Sequence, residues 1–505
     1  MKSRIWMWMT AVSLFAALAI PVNIVAQDNE EQHHKLRHHT YKLIDLGTFG
    51  GTNSLVNGPT VPILSNNGTY AGEAETSIPD PNAPNCQNGD CLVQHAQRWR
   101  NGVVTDLGTL PGTNLNSGAT WVSASGIIVG ESQNGLIDPL GIPEMRAVRW
   151  TNDGRIIDLG TLEGGHQSFA NMVNDRKQVG GWSTNTIADP FSMTGLGYQT
   201  RGFLLQDGVL KDLGTLGGPD ALPEAMNERG QMIGNSYISS IPNAGSGIPT
   251  IDPFFWEDGR MVDIGTFGGT FGVANFINNR GEVVGISNLP GDTTHHPFLW
   301  RRGILKDLGT LGGVNGDAAW INDSGDIAGR ADVSGGSSRH AFLWKDGVMI
   351  DLGLISPWTC STALSVNASD QTVGETGICG VGGGPGFIWE RNEPMVDLNL
   401  LVFPKSDIEV ADPYDINDRG EIAAAGFLPN GDQRAILLIP NGDCDDACEA
   451  RITASQHHTA LAAPSTSATR ATVRNSETEG VSINSLRDRM RCKYHLPGKP
   501  TVPAK

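Results

Sequence analysis

The chain has 505 residues, a formal net charge of −18, 64 glycines, 28 prolines and 39% hydrophobic residues. Glycine and proline at that level fit many short strands joined by tight turns and exclude an architecture of long helices. Residues 27–442 alone carry −22, which would repel a phosphate backbone and excludes nucleic acid as a partner.

The first predicted element is an export signal over residues 1–26. Lys2 and Arg4 precede an apolar run from Ile5 to Ile20, which Pro21 breaks and which closes at Ile24-Val25-Ala26 with a small residue at the cut. An uncleaved membrane anchor is the alternative, but the run is short for a span. Nothing after it reads as a transmembrane segment, so no membrane contact is expected once the signal is removed. A polar lead-in follows over 27–40, where His33, His34, His38 and His39 flank Lys35 and Arg37. Such a tract either binds Zn²⁺, Ni²⁺ or Cu²⁺ loosely or is an exposed arm.

Between residues 41 and 442 one phrase returns eight times, most clearly as Asp307-Leu308-Gly309-Thr310-Leu311-Gly312-Gly313. Its leading residues are Asp45, Asp106, Asp158, Asp212, Asp263, Asp307, Asp351 and Asp397, spaced 61, 52, 54, 51, 44, 44 and 46 apart. A period near fifty signals a repeat architecture. Within one unit, Ala341 to Trp344 reads as a strand, Lys345-Asp346-Gly347 as a tight turn and Val348 to Leu352 as the returning strand. A second hairpin follows, as in Ala318 to Ile321, Asn322-Asp323-Ser324-Gly325 and Asp326 to Gly329. Its first turn position is Ser65, Ser123, Asn174, Asn227, Asn278, Asn322, Asn367 and Asn417, side chains that bond the backbone two residues on.

Each unit therefore supplies four short antiparallel strands, the requirement of a β-propeller blade. The chain enters at Tyr41 to Asp45, a returning strand with no partner before it. It leaves at Arg434 to Ile439, a first strand with no partner after it. Pairing these two predicts an all-β, eight-bladed β-propeller over 41–442, closed by its N-terminal and C-terminal strands. A right-handed β-helix has a much shorter repeat. Residues 443–505 read as a low-complexity, disordered or weakly helical tail, with six basic side chains in 487–505.

His340-Ala341-Phe342-Leu343-Trp344, the hairpin into Asp-Leu-Gly, and the following Ile-Asn-x-x-Gly resemble the bacterial extracellular repeat family named for its His-Ala-Phe motif. The resemblance covers about 400 residues, although the triplet is intact only at His340 and the last copy degenerates to Asp397-Leu398-Asn399. It implies a secreted or periplasmic bacterial repeat protein. No agreed activity comes with the family, so it implies no catalytic residue.

Seven cysteines in an exported chain permit disulfides. Cys86 and Cys91 share a loop, Cys360 and Cys379 fall in one repeat, Cys444 and Cys448 follow the last, and Cys492 is left over. Cys86–Cys91 and Cys360–Cys379 are the predicted bonds; a metal site lacks a second close pair. Eight converging carboxylates would repel one another, so each repeat Asp is expected to accept backbone N–H bonds, with Ca²⁺ as a weaker reading and no other cofactor. The tryptophans at 99, 150, 256, 300, 344 and 389 recur at one strand position and are expected in the core.

Function is expected away from the repeat. The long segments 73–95, 131–145, 184–200, 237–252 and 288–296, read as links between blades, share the face opposite the tight hairpins and concentrate towards the first four blades. The candidate ligand-binding residues there are Trp182, taken as exposed, with His166, His295, His296, Asp220 and Asp317. The favoured reading is a monomeric binding or scaffolding module for an extracellular glycan or protein. A glycan hydrolase or lyase is the alternative, using carboxylates such as Asp220, Glu224 or Asp317. A purely structural exported protein is the third.

Overall fold

The computed structural model describes residues 37–458, apart from 57, 59–60, 84–85, 87–89, 163, 245, 337 and 391–392. The export signal, most of the lead-in with His33 and His34, and 459–505 with Cys492 lie outside the described residues. Among the described residues the strands form six four-stranded sheets and one eight-stranded sheet. The latter is two four-stranded meanders joined by a single parallel bridge between Arg339 and Cys360.

The second sheet shows the pattern, with strands Ser117–Val122, Ile128–Ile137, Pro143–Trp150 and Ile156–Asp158. Its first strand is buried throughout and its last is half-buried, with only Asp158 exposed. The sheet thus starts one hairpin later than the sequence suggested. The Thr-Leu-Gly-Gly phrase joins successive sheets, and the long segments join the second and third strands of one sheet. Tyr70–Pro79 and Leu92–Arg100, for instance, which flank the first long loop, pair with each other within one sheet. The long segments still occupy the edge opposite the tight turns, because an antiparallel meander alternates its connections between two edges.

The tight turns follow their chemistry. Asn101-Gly102, Asp207-Gly208, Asp258-Gly259 and Asp346-Gly347 all have positive φ at both residues, the geometry that matches strand twist in a two-residue hairpin. At the second turn, Lys177 and Asp370 take the left-handed conformation that glycine takes in the other copies. The first strand carries a bulge, for example between Ala119 and Trp121. The bulge pushes a carbonyl against the facing strand, so a Cβ at Gly130 would meet Gly118 O at 2.0 Å and one at Gly285 would meet Val273 O at 2.0 Å. Only glycine fits there.

The turn asparagines bond in two directions. Asn322 Oδ1 accepts from Ser324, Gly325 and Asp326 N–H, each at 2.9 Å, as an Asx turn requires. Its Nδ2 donates to Asn367 O of the next unit at 3.0 Å. The same amide-to-carbonyl bond runs from Asn227 to Asn278, Asn278 to Asn322, and Asn367 to Asn417 at 2.9–3.0 Å. It ends with Asn417 Nδ2 on Ser65 O of the first unit at 3.0 Å.

The first and last described strands meet in one sheet. His39–Asp45 pairs antiparallel with Gln433–Asp443, with Lys42 opposite Ile439 and Ile44 opposite Leu437. The described chain continues past 442 into a helix, Asp446–His458, rather than directly into a disordered tail. Its Ile452 is buried with Cys444, Cys448, Leu398, Leu401 and Tyr41, and Phe403 N–H donates to Tyr41 O at 2.8 Å. The free edge of the N-terminal strand is therefore covered. Trp99, Trp150, Trp256, Trp300 and Trp389 are buried, and Trp344 lies partly buried beneath Lys306 Nζ.

A loop platform over the second to fourth sheets

The first three long loops carry a smaller repeat of their own: Asp80-Pro81, Asp138-Pro139 and Asp189-Pro190. In each, Oδ1 caps the turn by accepting the N–H two residues on, from Asn82, Leu140 and Phe191, at 2.8–2.9 Å. The other carboxylate oxygen faces the start of the next sheet. There Asn116 Nδ2 donates to Asp80 Oδ2 at 2.8 Å and Gln167 Nε2 to Asp138 Oδ2 at 3.2 Å. The third such position is Asp220.

Loops two to four are fastened to a satellite core of Met145, Phe169, Trp182, Met193, Leu196, Leu222, Tyr237 and Ile251, all buried. Trp182 is part of it, fully buried and stacked on Phe169 with ring centroids 4.3 Å apart. The expectation that Trp182 is exposed is therefore wrong: it lies in a core to which three loops contribute, through Ile142, Met193 and Ile248 among others. Tyr237 Oη donates to Phe191 O at 2.6 Å, tying the third loop to the fourth sheet, whose strands are Ala221–Met226, Met232–Tyr237, Ile251–Glu257 and Arg260–Asp263.

Above this core the loops expose aliphatic side chains. Leu136, Ile137, Leu140, Ile187 and Ile241 are 50–75% exposed, and Ile238 is exposed as well. Segments 134–142, 185–197 and 238–250 hold only two charged residues, Asp138 and Asp189, and both are buried. An uncharged aliphatic surface on a chain of net charge −18 is thus held in shape from below.

The remaining predicted residues fall around this surface or away from it. His166 Nδ1 lies 2.8 Å from Glu144 Oε1, while Arg146 Nη2 holds Glu144 Oε2 at 2.9 Å. Burial pushes the Glu144 carboxyl up, but Asn134, His166 and Arg146 together bring it below the ordinary range. The structure does bring His295 and Asp317 together, with Nε2 to Oδ1 at 3.0 Å, and Arg330 Nε holds the other oxygen at 2.7 Å. Burial there is outweighed by Arg330 and His295, so Asp317 is held far below the carboxylate range and is a fixed counter-ion. Asp220 is not open to a ligand: it is fully buried, accepting Thr200 N–H at 2.9 Å and Met193 N–H at 2.7 Å.

His296 belongs to the repeat, its Nδ1 2.8 Å from Asp307. The same partnership joins His95 to Asp106, Arg201 to Asp212 and His340 to Asp351, always eleven residues apart. The His of the His-Ala-Phe triplet and the Asp of Asp-Leu-Gly are thus cross-strand partners. All eight repeat aspartates, Asp45 to Asp397, also accept the N–H two residues on at 2.7–2.8 Å, the expected turn bond. The fourth sheet departs from this pattern: Asp252 faces Asp263, and burial plus that like charge push Asp252 up to about 7.

Cys86–Cys91 and Cys360–Cys379 are bonded, as is Cys444–Cys448, with Cα atoms 5.0–5.4 Å apart. Among the described residues no group of three or more His, Cys, Asp or Glu side chains is arranged to hold a metal ion. No described helix is long and apolar enough to cross a membrane.

No family model matches the chain, and no curated protein does. Among solved structures it is similar to Porphyromonas gingivalis dipeptidyl peptidase 4, at 12% identity and a TM-score of 0.45, over 80% of this chain and 62% of that one. A Pyrococcus horikoshii acylaminoacyl peptidase aligns at 10% identity and a TM-score of 0.39, over 74% of this chain and 58% of that one. TolB from Acinetobacter baumannii aligns at 12% identity and a TM-score of 0.30, over 56% and 62%. The chain spans about three-fifths of those proteins, and likeness at this level carries no argument about activity.

Proposed function

We propose that this chain is an exported, monomeric β-propeller of eight blades that binds a protein partner through the loop platform of its second to fourth sheets. Three features support the ring: His39–Asp45 pairs with Gln433–Asp443, Asn417 bonds to Ser65, and Gln433 N–H donates to Asn53 Oδ1 at 2.9 Å. Export fits the three disulfides, and kinship with the His-Ala-Phe repeat family fits the cross-strand partnership that unites its two motifs.

The observation that carries the binding reading is the exposed, uncharged aliphatic surface of Leu136, Ile137, Leu140, Ile187 and Ile241 over a buried core. Its side chains favour a protein over a glycan, because sugar faces stack on exposed aromatic rings and none of these residues is aromatic. A hydrolase reading loses two of its carboxylates, since Asp220 is sealed in and Asp317 is clamped by Arg330.

The test is a binding screen of the mature protein against extracellular proteins and a glycan array. It is repeated with Leu140→Asp/Ile187→Asp/Ile241→Asp and with residues 237–252 shortened. Protein binding that both variants lose supports the reading. Binding that both retain, or glycan binding alone, refutes it.

A further inference from the structure

Three equivalent joints fasten the first three long loops to the sheet that follows, and they are not chemically alike. In the first two the loop carboxylate meets an amide donor, Asn116 on Asp80 and Gln167 on Asp138. In the third, Asp189 meets Asp220, and neither carboxylate can donate unless one of them carries a proton. Asp189 Oδ2 is buried with no other hydrogen-bond partner, while its Oδ1 is engaged with Phe191 N–H at 2.8 Å. Asp220 uses both oxygens as acceptors, from Thr200 and Met193 N–H, and Asp189 is its charged neighbour within hydrogen-bonding reach.

We propose that a single proton shared between Asp189 and Asp220 fastens the loop 185–197 to the fourth sheet, making this part of the platform sensitive to pH. When that proton leaves to solvent, the pair passes from one negative charge to two in a buried site. Two adjacent carboxylates cannot both stay ionised there, so the loop lifts to hydrate them. The other groups facing the joint do not replace the proton. Ser192 and Thr194 are within 3.1 Å of each other, and Thr194 is 3.1 Å from Thr200. The Tyr237 hydroxyl donates to Phe191 O, and Arg201, next to Thr200, is paired with Asp212 at 3.0 Å. Burial, against the two N–H bonds and with Asp189 adding to it, pushes the Asp220 carboxyl well above the ordinary range. The joint is therefore closed at low pH and opens as pH rises.

As regulation of binding this rests on the loop edge being the binding site; the joint itself does not. The experiment accordingly needs no partner. Hydrogen-exchange protection of the Met193 and Thr200 amides, corrected for the intrinsic rate, is followed from about pH 4 to about pH 9 in the full mature chain. Protection should fall by about tenfold or more across that range. In Asp189→Asn the new amide donates permanently to Asp220 while its carbonyl still accepts from Phe191, so protection should stay level. In Asp220→Asn the amide meets the Met193 N–H, so protection should be low at every pH. Level protection in the natural chain, an equal fall in Asp189→Asn, or unchanged protection in Asp220→Asn would each overturn the proposal.

Discussion

Replacing Asp252 by Asn should make the protein less sensitive to alkali. Asp252 occupies the third-strand position that His95, Arg201, His296 and His340 fill elsewhere, yet it faces Asp263 with Oδ1 buried and without a hydrogen-bond partner. In the folded chain its carboxyl stays neutral up to about 7, whereas in the unfolded chain it ionises at its ordinary 3.8. Its contribution to stability is therefore fully present below the ordinary range and is lost as pH rises through about 7. Between pH 5 and pH 8 the folded state holds a proton that the unfolded state has released over roughly two pH units, worth about 2–3 kcal/mol. Asp252→Asn removes that proton and lets an amide donate to Asp263. Urea titrations at both pH values, followed by tryptophan fluorescence, should show the natural chain losing about 2–3 kcal/mol more than the variant. An identical pH response in the two proteins would refute the reasoning.

The turn chain makes a graded prediction. Asn322→Ala removes the Asx acceptor and the donor to Asn367 and should cost about 2–4 kcal/mol, whereas Asn322→Ser, the residue used at Ser65 and Ser123, should cost about half as much in the same titration. Trp182→Ala should cost about 3–5 kcal/mol and raise protease cleavage within 134–142 and 185–197, because the core beneath both loops is opened. Ile187→Asp and Ile241→Asp are exposed changes that should move stability by no more than about 0.5 kcal/mol while abolishing partner binding in a titration. Cys360→Ser/Cys379→Ser should lower stability by about 3 kcal/mol at a sequence separation of 19, read from the same urea midpoint.

The strand pattern and the pairing of the chain ends were legible because they repeat: eight copies of one hairpin average out the accidents of any one. A repeat fixes a period but not a phase, however. Whether a sheet begins at Phe342 or at Ala318 depends on which hydrogen bonds form between successive hairpins, and that is a long-range property. The pairing of His340 with Asp351 was present as a constant spacing of eleven, visible only once both are known to face each other across a turn. Trp182 has no counterpart in the repeat, because the residue at its position does not recur. Glu73, Glu131, Asn235 and Ile286 stand there in other sheets, so burial at 182 is decided by Phe169 and by loops from neighbouring sheets. The Asp-Pro turns and the series Asn116, Gln167, Asp220 are present in the sequence, but they fall outside the hairpin motifs that define the repeat.

The most direct test of the binding account is a hydrogen-exchange footprint of the mature protein with a partner recovered from the extracellular screen. Slowed exchange confined to 134–142, 185–197 and 238–250 is the predicted result. Slowed exchange at the opposite edge, around the turns at Asn174, Asn227 and Asn322, with the loop platform unchanged, would contradict it.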